Sequence, residues 1–304
     1  MNQNTAIRSI SLPAPAKINL LLSVGGRRID GFHEIFSLMA KIDLCDLVTV
    51  ERYGAAGDIE CICLENEALS GEANLASHCV KLWRDASGWN DGIRITIDKR
   101  IPVMAGLGGG SSDAVATLKA LNLMSGKRMS FRGMKKIAAS LGSDCVSFLM
   151  DGPCIASGRG EGVEPLSDES NERLRDAQLF LFKPPIGFST ADMYDRYSRL
   201  KENPAGAPRI VEGRNSIMAW EGSEKDITEI LRNDLQRVAV DKYRFITPLF
   251  QMLNERFGLH PLLSGSGSCC FAFLPPKFQV EQAVACVKGC WGNESFVFVG
   301  KIRG

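Results

Sequence analysis

Residues 104–116 carry the feature that most constrains the fold of this chain. They read MAGLGGGSSDAVA, with four glycines in five positions and then two serines, an aspartate and an apolar run. Glycine loses more backbone freedom on ordering than any other residue, so such a cluster is unusual in a simple turn. A glycine loop that opens a helix presents free N–H groups to an anion. The segment favours a phosphate-binding strand-to-helix junction, with a tight turn and an ordinary cap as the alternative. Ser111 or Ser112 stands where the N-cap of this helix is expected.

The loop fits neither of two common phosphate-binding patterns. The P-loop requires a lysine after its last glycine, and none stands here. The dinucleotide fingerprint G-x-G-x-x-G has Ser111 in its last position when counted from Gly106, and Asp113 when counted from Gly108. This mismatch argues against a dinucleotide-dependent oxidoreductase.

Composition narrows the classes of partner. The chain has 304 residues and a formal net charge of +1, which gives no general attraction to nucleic acid or to a membrane surface. The start shows no secretory pattern and no apolar run is long enough to span a bilayer, so we expect a cytoplasmic protein. None of the ten cysteines forms C-x-x-C, and His33, His78 and His260 complete no zinc pattern. We expect buried free thiols and no metal site built from protein side chains alone.

The order of patterns predicts an α+β protein of two domains, residues 1–165 and 176–304. Alternating or β-branched runs predict strands, and apolar residues at helical spacing predict helices. The predicted strands are 8–24, 45–53, 93–100, 178–185, 261–274 and 294–303, with a strand, a turn and a strand in 145–166. The predicted helices are 72–88, 111–126, 130–142, 189–200, 225–240, 243–258 and 279–289. A polar stretch at 167–177 is taken as an interdomain crossing, and 201–217 as an exposed loop.

Three further stretches contain candidate functional residues. Lys17 stands in the apolar run PAPAKINLLL, where a lysine on a strand edge is the alternative to a functional cation. Asp144 follows a helix-ending glycine in LGSDCVSFLM, where it could cap a turn or act as a general base. Gly265, Ser266 and Gly267 interrupt the strand pattern LLSGSGSCCFAF, which indicates a strand bend or the close approach of a ligand or of another backbone.

Taken in order, these stretches resemble the GHMP kinases, which transfer phosphate from ATP to small alcohols. The resemblance runs from about Leu12 to the final strand. It implies an N-terminal α+β domain, a ferredoxin-like C-terminal domain and an active site between them, with Mg²⁺ accompanying ATP. It implies Lys17 and Asp144 as the catalytic pair. The implied ATP-binding residues are Pro102, Ala105, Gly106, Leu107, Gly108, Gly109, Gly110, Ser111 and Ser112, together with Lys99 near the adenine and Asn74.

A further segment, GGRRIDGFHEIFSL, narrows the resemblance to family members whose substrate carries a cytidine diphosphate. It implies that Phe32 stacks on the cytosine and that His33 hydrogen-bonds its edge, since a flat polar base suits aromatic faces and a directional partner. The segment PPIGFSTADMY implies Thr190 and Tyr194 as further substrate contacts. The remaining implied substrate-binding residues are Asn19, Gly265 and Ser266. A turn with an internally satisfied His33 is the alternative.

Two departures from the family pattern remain open. The segment after Asp144 reads DCVSF, where the family usually has a proline. Asp113 stands where Asn is common, and a carboxylate beside triphosphate would repel it unless it faces Mg²⁺, pairs with a cation or caps the helix. We predict that Asp113 caps the helix.

Two rival functions are considered. One is a GHMP kinase for mevalonate or homoserine, which Phe32, His33 and Tyr194 argue against because those substrates carry no base. The other is a non-catalytic relative that binds nucleotide and sugar, which the presence of both Lys17 and Asp144 argues against. We expect a monomer or a weak homodimer.

Overall fold

The computed structural model describes residues 7–126, 129–200 and 207–304. It contains mixed helix and strand, as predicted. The strands are β1 (Ser9–Arg27), β2 (His33–Arg52), β3 (Ile59–Cys63), β4 (Ile93–Asp98), β5 (Cys154–Gly158), β6 (Gly162–Pro165), β7 (Gln178–Lys183), β8 (Arg232–Asn233), β9 (Leu262–Leu263), β10 (Cys270–Phe273) and β11 (Phe296–Lys301). The α-helices are α1 (Leu75–Ser87), α2 (Gly109–Met124), α3 (Phe131–Leu141), α4 (Asp168–Leu174), α5 (Thr190–Ser198), α6 (Ala207–Glu221), α7 (Gln236–Lys242), α8 (Ile246–Phe257) and α9 (Glu281–Trp291).

The chain forms two compact units that are not consecutive in sequence. The first contains residues 1–16, 44–101 and 108–149, and the second contains 17–43, 102–107 and 150–304. These units assign 17–43, 102–107 and 150–165 differently from the predicted domains of 1–165 and 176–304. The predicted boundary between 165 and 176 therefore stays a prediction.

In the first unit, β4 pairs in parallel with β3 and antiparallel with the second half of β2. Helix α1 has one buried face, which includes Val80 and Trp83. Helix α2 is buried over most of its circumference, including Leu118 and Leu121, as expected for a core helix rather than a surface one. Its first turn is therefore held by packing on several sides.

The second unit contains a four-stranded antiparallel sheet in the order β11–β7–β10–β9. Its core brings Phe182 of β7 to within 5.6 Å of Trp291 of α9, measured between ring centroids. Leu249 and Leu253 of α8 belong to the same buried cluster. In the same unit β5 pairs with the first half of β2, and β8 pairs with β1. This packing holds β7 and β10 in place. The predicted site segments 184–194 and 262–273 adjoin or include these strands.

Several predicted elements differ from the structure. The start of the 145–166 pattern is a 3₁₀ helix, Ser143–Leu149, and the two strands are β5 and β6. The polar crossing contains α4, whose first turn is capped by the Ser167 side chain. Strand β3 was not predicted.

Three further differences concern the C-terminal half. The predicted exposed loop 201–217 is helical from 207, with a proline in its permitted first turn; residues 201–206 lie outside the described residues. The predicted helix 225–240 is divided into a 3₁₀ helix, β8 and α7. The predicted strand 261–274 is two antiparallel strands, β9 and β10, joined by a glycine–serine loop.

Candidate active site

Helix α2 starts two residues earlier than the two serines predicted to cap it. Its N-cap is Gly108, in the left-handed conformation with φ +70°, and no side chain caps the helix. The first-turn N–H groups therefore have no capping side chain among the described residues. Such a helix start can accept an anionic oxygen. Ser111 and Ser112 lie inside the helix, so the prediction that one of them is the N-cap is wrong.

Asp113 is not a helix cap either, and this prediction is also wrong. It lies in the second turn of α2, is 2% exposed, and its Oδ2 accepts a hydrogen bond from Lys99 Nζ at 2.8 Å. Lys99 also pairs with Asp46, whose other oxygen accepts the backbone N–H groups of Arg100 and Ile101 at 2.6 and 2.7 Å. Asp113, whose charge the sequence analysis did not explain, thus pairs with the cation of Lys99.

Burial, together with the negative charge of Asp46, raises the pKa of Asp113 to about 7 although Lys99 opposes the change. The pKa of Lys99 is raised, because the two carboxylates outweigh the effect of its burial. Lys99 therefore stays cationic at neutral pH. Asp46 was not singled out in the sequence; a lone aspartate in a strand pattern gave no signal.

The predicted base Asp144 belongs to the first unit. It lies in the first turn of the 3₁₀ helix Ser143–Leu149, which is tied by a hydrogen bond from Ser147 Oγ to the Asp144 carbonyl oxygen. The Ser111 hydroxyl of α2 hydrogen-bonds the thiol of the adjoining Cys145, and burial raises the pKa of that thiol to about 11. The start of α2 and the segment that carries Asp144 are therefore neighbours. In this segment, which lacks the family's proline, the Cys145 N–H donates to the Gly142 carbonyl oxygen at 3.2 Å.

Asn74 caps α1 in the same unit. Its Oδ1 accepts a hydrogen bond from Ala76 N at 2.9 Å, and its amide donates to the Leu69 carbonyl oxygen at 2.8 Å. The next residue, Leu75, has its Cδ1 3.9 Å from where a Cβ on Gly110 would lie. The start of α1 therefore adjoins the first turn of α2 through Leu75, and the Asn74 side chain is engaged in capping.

In the second unit, Lys17 lies at the start of a buried polar chain on β1. Its ammonium donates to Asn19 Oδ1 at 2.6 Å, Asn19 donates to Ser37 Oγ at 2.8 Å, and Ser37 donates to the Leu21 carbonyl oxygen at 2.7 Å. Lys17 is 4% exposed and its backbone N–H donates to the Leu107 carbonyl oxygen. The lysine is a buried and oriented cation rather than a snorkelling one. Ser37 is a member that sequence reasoning did not identify.

The glycine–serine loop between β9 and β10 lies directly against this chain. A Cβ on Gly265 would be 3.1 Å from Asn19 Oδ1 and 3.4 Å from Lys17 Nζ. Ser266 Oγ hydrogen-bonds Thr190 Oγ1 at 2.8 Å. The structure thus brings together these five predicted residues of the second unit.

Residues 104–106 run alongside the same loop. The Ala105 carbonyl oxygen accepts the Cys269 N–H at 3.0 Å, and the Gly106 carbonyl oxygen accepts the Ser264 hydroxyl at 3.1 Å. Gly106 has φ +73°, and a Cβ there would overlap the Ser264 carbonyl oxygen and lie 2.9 Å from Gly267 N. Gly106 is therefore required by packing. Pro102 begins the short stretch 102–107 that belongs to this unit.

Three predicted residues for a base lie together in the second unit. His33 is buried, its Nε2 is 2.6 Å from Ser198 Oγ, and its ring centroid is 5.2 Å from that of Tyr194. Phe32, by contrast, is 51% exposed, with the Arg159 guanidinium 4.9 Å from its ring centroid. Burial, followed by the charge of Arg27, lowers the pKa of His33, so its ring is neutral at pH 7. Arg159 was missed by sequence reasoning.

Asn233 also went unpredicted and supports the site from behind. Its amide donates to the carbonyl oxygens of Leu263 and Gly265 at 2.7 and 2.8 Å, and its Oδ1 accepts the Leu235 N–H. This side chain fixes the loop that presents Ser266. It had been assigned to the interior of a helix, where an asparagine gives no functional signal.

Among the described residues, no set of three or more His, Cys, Asp or Glu side chains is arranged to hold a metal ion. The same part of the chain contains no helix that is both long and apolar enough to cross a membrane. All ten cysteines are free thiols, and seven of them are buried.

Two family models match this chain. Residues 74–159 match the family model for the N-terminal domain of GHMP kinases, and residues 218–293 match the one for the C-terminal domain. Each match lies inside one of the two predicted domains.

Two curated relatives are named 4-diphosphocytidyl-2-C-methyl-D-erythritol kinase. One, from Thermoanaerobacter pseudethanolicus, is 34% identical over 97% of this chain and 96% of its own length. The other, from Pelotomaculum thermopropionicum, is 36% identical over 91% of this chain and 93% of its own. A crystal structure of 4-(cytidine 5'-diphospho)-2C-methyl-D-erythritol kinase superposes with a TM-score of 0.74 at 30% identity, covering 97% of this chain and all of that one. The chain therefore belongs to the GHMP kinase family, in its branch of 4-diphosphocytidyl-2-C-methyl-D-erythritol kinases.

Proposed function

We propose that this chain transfers the γ-phosphoryl group of ATP to the 2-hydroxyl of 4-diphosphocytidyl-2-C-methyl-D-erythritol, in the non-mevalonate route to isoprenoid precursors. The products are the 2-phosphate and ADP. The observation that carries the choice of substrate is the aromatic group of Phe32, His33 and Tyr194. Mevalonate and homoserine offer nothing for such a group to bind.

The cytosine is held in this proposal by Phe32, His33 and Tyr194. The exposed face of Phe32 stacks on the base, and an aromatic pair adds about 0.5–1.5 kcal/mol beyond the area that it buries. A neutral imidazole has one donor and one acceptor nitrogen, which suits the edge of a base that carries both kinds of group. The lowered pKa of His33 supports this neutral state.

The triphosphate is assigned to the uncapped start of α2. Its backbone N–H groups and the helix dipole favour negative oxygens, so no lysine is required within the loop. Mg²⁺ accompanying ATP would supply neutralisation of the phosphate charge there. Mg²⁺ commonly uses one or two carboxylates, phosphate oxygens and water, and no side chain of this chain is assigned to it.

Asp144 is the proposed proton acceptor. It takes the proton of the 2-hydroxyl while that oxygen attacks the γ-phosphorus and the bond to the ADP oxygen breaks. Lys17 is the proposed catalytic cation, which stabilises negative charge during the transfer. The attacked alcohol is tertiary and the transition state is loose, so we assign more of the rate to positioning than to deprotonation.

The experiment that tests this function measures ATP consumption with 4-diphosphocytidyl-2-C-methyl-D-erythritol, mevalonate, homoserine and galactose in parallel. We expect turnover with the first substrate alone. Turnover with only one of the other three would contradict the choice of substrate. Absence of turnover with all four, by a folded chain that binds ATP, would favour the non-catalytic rival.

The assignment of Asp144 is tested by Asp144→Ala. General-base catalysis contributes about 10²–10⁴-fold, so kcat should fall by that factor while the KM of the cytidine substrate stays nearly unchanged. The exposed Asp151→Ala, seven positions further along the sequence, serves as the control for loss of a carboxylate. A kcat within threefold of the wild type would remove Asp144 from the mechanism.

A further inference from the structure

Asp113 is a buried carboxylate for which the proposed mechanism has no role. Its Oδ2 accepts a hydrogen bond from Lys99, but its Oδ1 has no partner among the described residues and is shielded from solvent. An unpartnered polar atom at such a depth is unfavourable and calls for an explanation. Asp46, the other carboxylate on Lys99, has both of its oxygens hydrogen-bonded. Of the two carboxylates on Lys99, Asp113 is therefore the one with an oxygen that lacks a hydrogen-bond partner among the described residues.

The Lys99–Asp113 pair adjoins the first residue of α2. A Cβ built on Gly109 would lie 3.2 Å from Lys99 Nζ. The ammonium therefore lies just behind the helix start that is assigned to the triphosphate. The charge of this group acts on whatever binds there, because a buried charge is poorly screened by salt.

The fully ionised group carries a net charge of −1, from two carboxylates and one ammonium. Other groups that face it include the thiols of Cys61 and Cys63 on β3, and burial raises the pKa of both. These thiols are neutral at pH 7 and do not compensate the charge. The site behind the proposed triphosphate is thus negative whenever Asp113 is ionised.

We propose that Asp113 is a positioning residue for ATP that takes up a proton from solvent when the triphosphate binds. The step is carboxylate plus proton to carboxylic acid, and the side-chain hydrogen bond between Asp113 and Asp46 favours this protonated form. It reduces the net charge behind the loop from −1 to zero. This inference rests on the assignment of the triphosphate to the start of α2 in the proposed function.

The linked pH dependence follows from this step. The pKa of Asp113 lies near 7 in the free chain, and a nearby polyanion raises it further. Each unit of that rise weakens ATP binding tenfold at a pH where the carboxyl is ionised in both the free and the ATP-bound chain. We expect the dissociation constant of ATP to rise by about threefold to tenfold between pH 6 and pH 8.5 because of this residue.

The test compares the wild type with Asp113→Asn, which keeps the shape but cannot ionise. Calorimetric titration with ATP in buffers of different ionisation enthalpy measures the protons taken up per ATP bound at pH 7.5. The titration of ATP itself is common to both proteins, so it cancels in the difference. We expect the wild type to take up about 0.3–0.7 more proton than the variant, and its dissociation constant to rise relative to the variant's with pH.

Equal proton uptake in the two proteins, or parallel pH profiles of the dissociation constant, would overturn the proposal. Asp85→Asn, which changes an exposed carboxylate on α1, should reproduce the wild type. If Asp113→Asn does not fold, the proton uptake of the wild type is compared with the uptake expected from the titration of ATP alone. A wild-type uptake no larger than that value would also contradict the proposal. Because the readout is binding, a failure of this proposal is distinct from the absence of turnover that would refute the proposed function.

Discussion

Two glycine–serine segments of similar composition have different structures in this chain. Residues 106–113 turn into a buried helix and end on a charged residue, Asp113, that pairs with Lys99. Residues 264–269 join two antiparallel strands and are held by neutral partners, among them Asn233 and Thr190. Glycine content thus marks where the backbone must be free, whereas the residues that follow decide which structure forms.

The comparison also separates two uses of glycine within the first segment. Gly106 is needed because the loop at 264–267 leaves no room for a side chain. Gly110 faces open space, with one atom of Leu75 at 3.9 Å. Because no neighbouring atom requires a glycine at position 110, Gly110 is better evidence than Gly106 for the close approach of a ligand.

The largest expected effect is on Gly106. In Gly106→Ala the new Cβ overlaps the Ser264 carbonyl oxygen at a positive φ, so we expect a loss of about 3 kcal/mol or more in the free energy of unfolding. Urea unfolding followed by circular dichroism measures it. A loss below 1 kcal/mol would mean that the two segments do not pack as described.

A second prediction concerns the charge at the end of the first segment. The folded chain holds a proton on Asp113 more tightly than the unfolded chain does, because the pKa is raised from 3.8 to about 7. Stability from this group is therefore fully present below about pH 4 and is lost as the pH rises through 7. We expect the free energy of unfolding of the wild type to fall by about 2–4 kcal/mol over this range relative to Asp113→Asn. Parallel stability profiles of the two proteins would contradict the raised pKa.

The third prediction tests the proposed role of Gly110. Alanine is better tolerated than glycine within a helix, so Gly110→Ala should keep or slightly raise stability, by about 0.5–1 kcal/mol. If the triphosphate approaches this backbone, the added methyl group should raise the KM for ATP by about tenfold, equivalent to 1.4 kcal/mol. Steady-state kinetics at saturating second substrate measure this effect. An unchanged KM with unchanged stability would leave Gly110 without a role in the proposed phosphate site.

The smallest effect is expected in the second segment. Ser266→Ala removes the hydrogen bond to Thr190, which contributes about 0.5–1.5 kcal/mol to stability. We expect a similar small increase in the KM of the cytidine substrate, less than tenfold, with the KM of ATP unchanged. The exposed Ser140→Ala is the matched control. A change in the KM of ATP alone would move Ser266 from the substrate to the nucleotide.

Much of the fold could be predicted because its signals are local. Helix α1 lies between Asn74 as its cap and Gly88 in the left-handed conformation, and both are visible in the sequence. Strand β4 alternates buried and half-buried residues, which gives the period of two. The juxtaposition of Lys17, Asn19 and Gly265 was expected only from resemblance, because residues nearly 250 positions apart carry no local signal of contact.

The sequence by itself determined the family, the α+β class and most of the helices, since these depend on short-range periodicity, caps and ordered motifs. The tertiary structure decided what the sequence left ambiguous. Asn233 breaks a predicted helix because its amide is needed by the loop at 263–265. Asp113 pairs with Lys99 instead of capping α2, because burial makes an unpaired carboxylate too unfavourable and a cation lies within reach. Local sequence patterns determine where helices and strands form. The need to satisfy buried polar groups determines which side chains on them pair with one another.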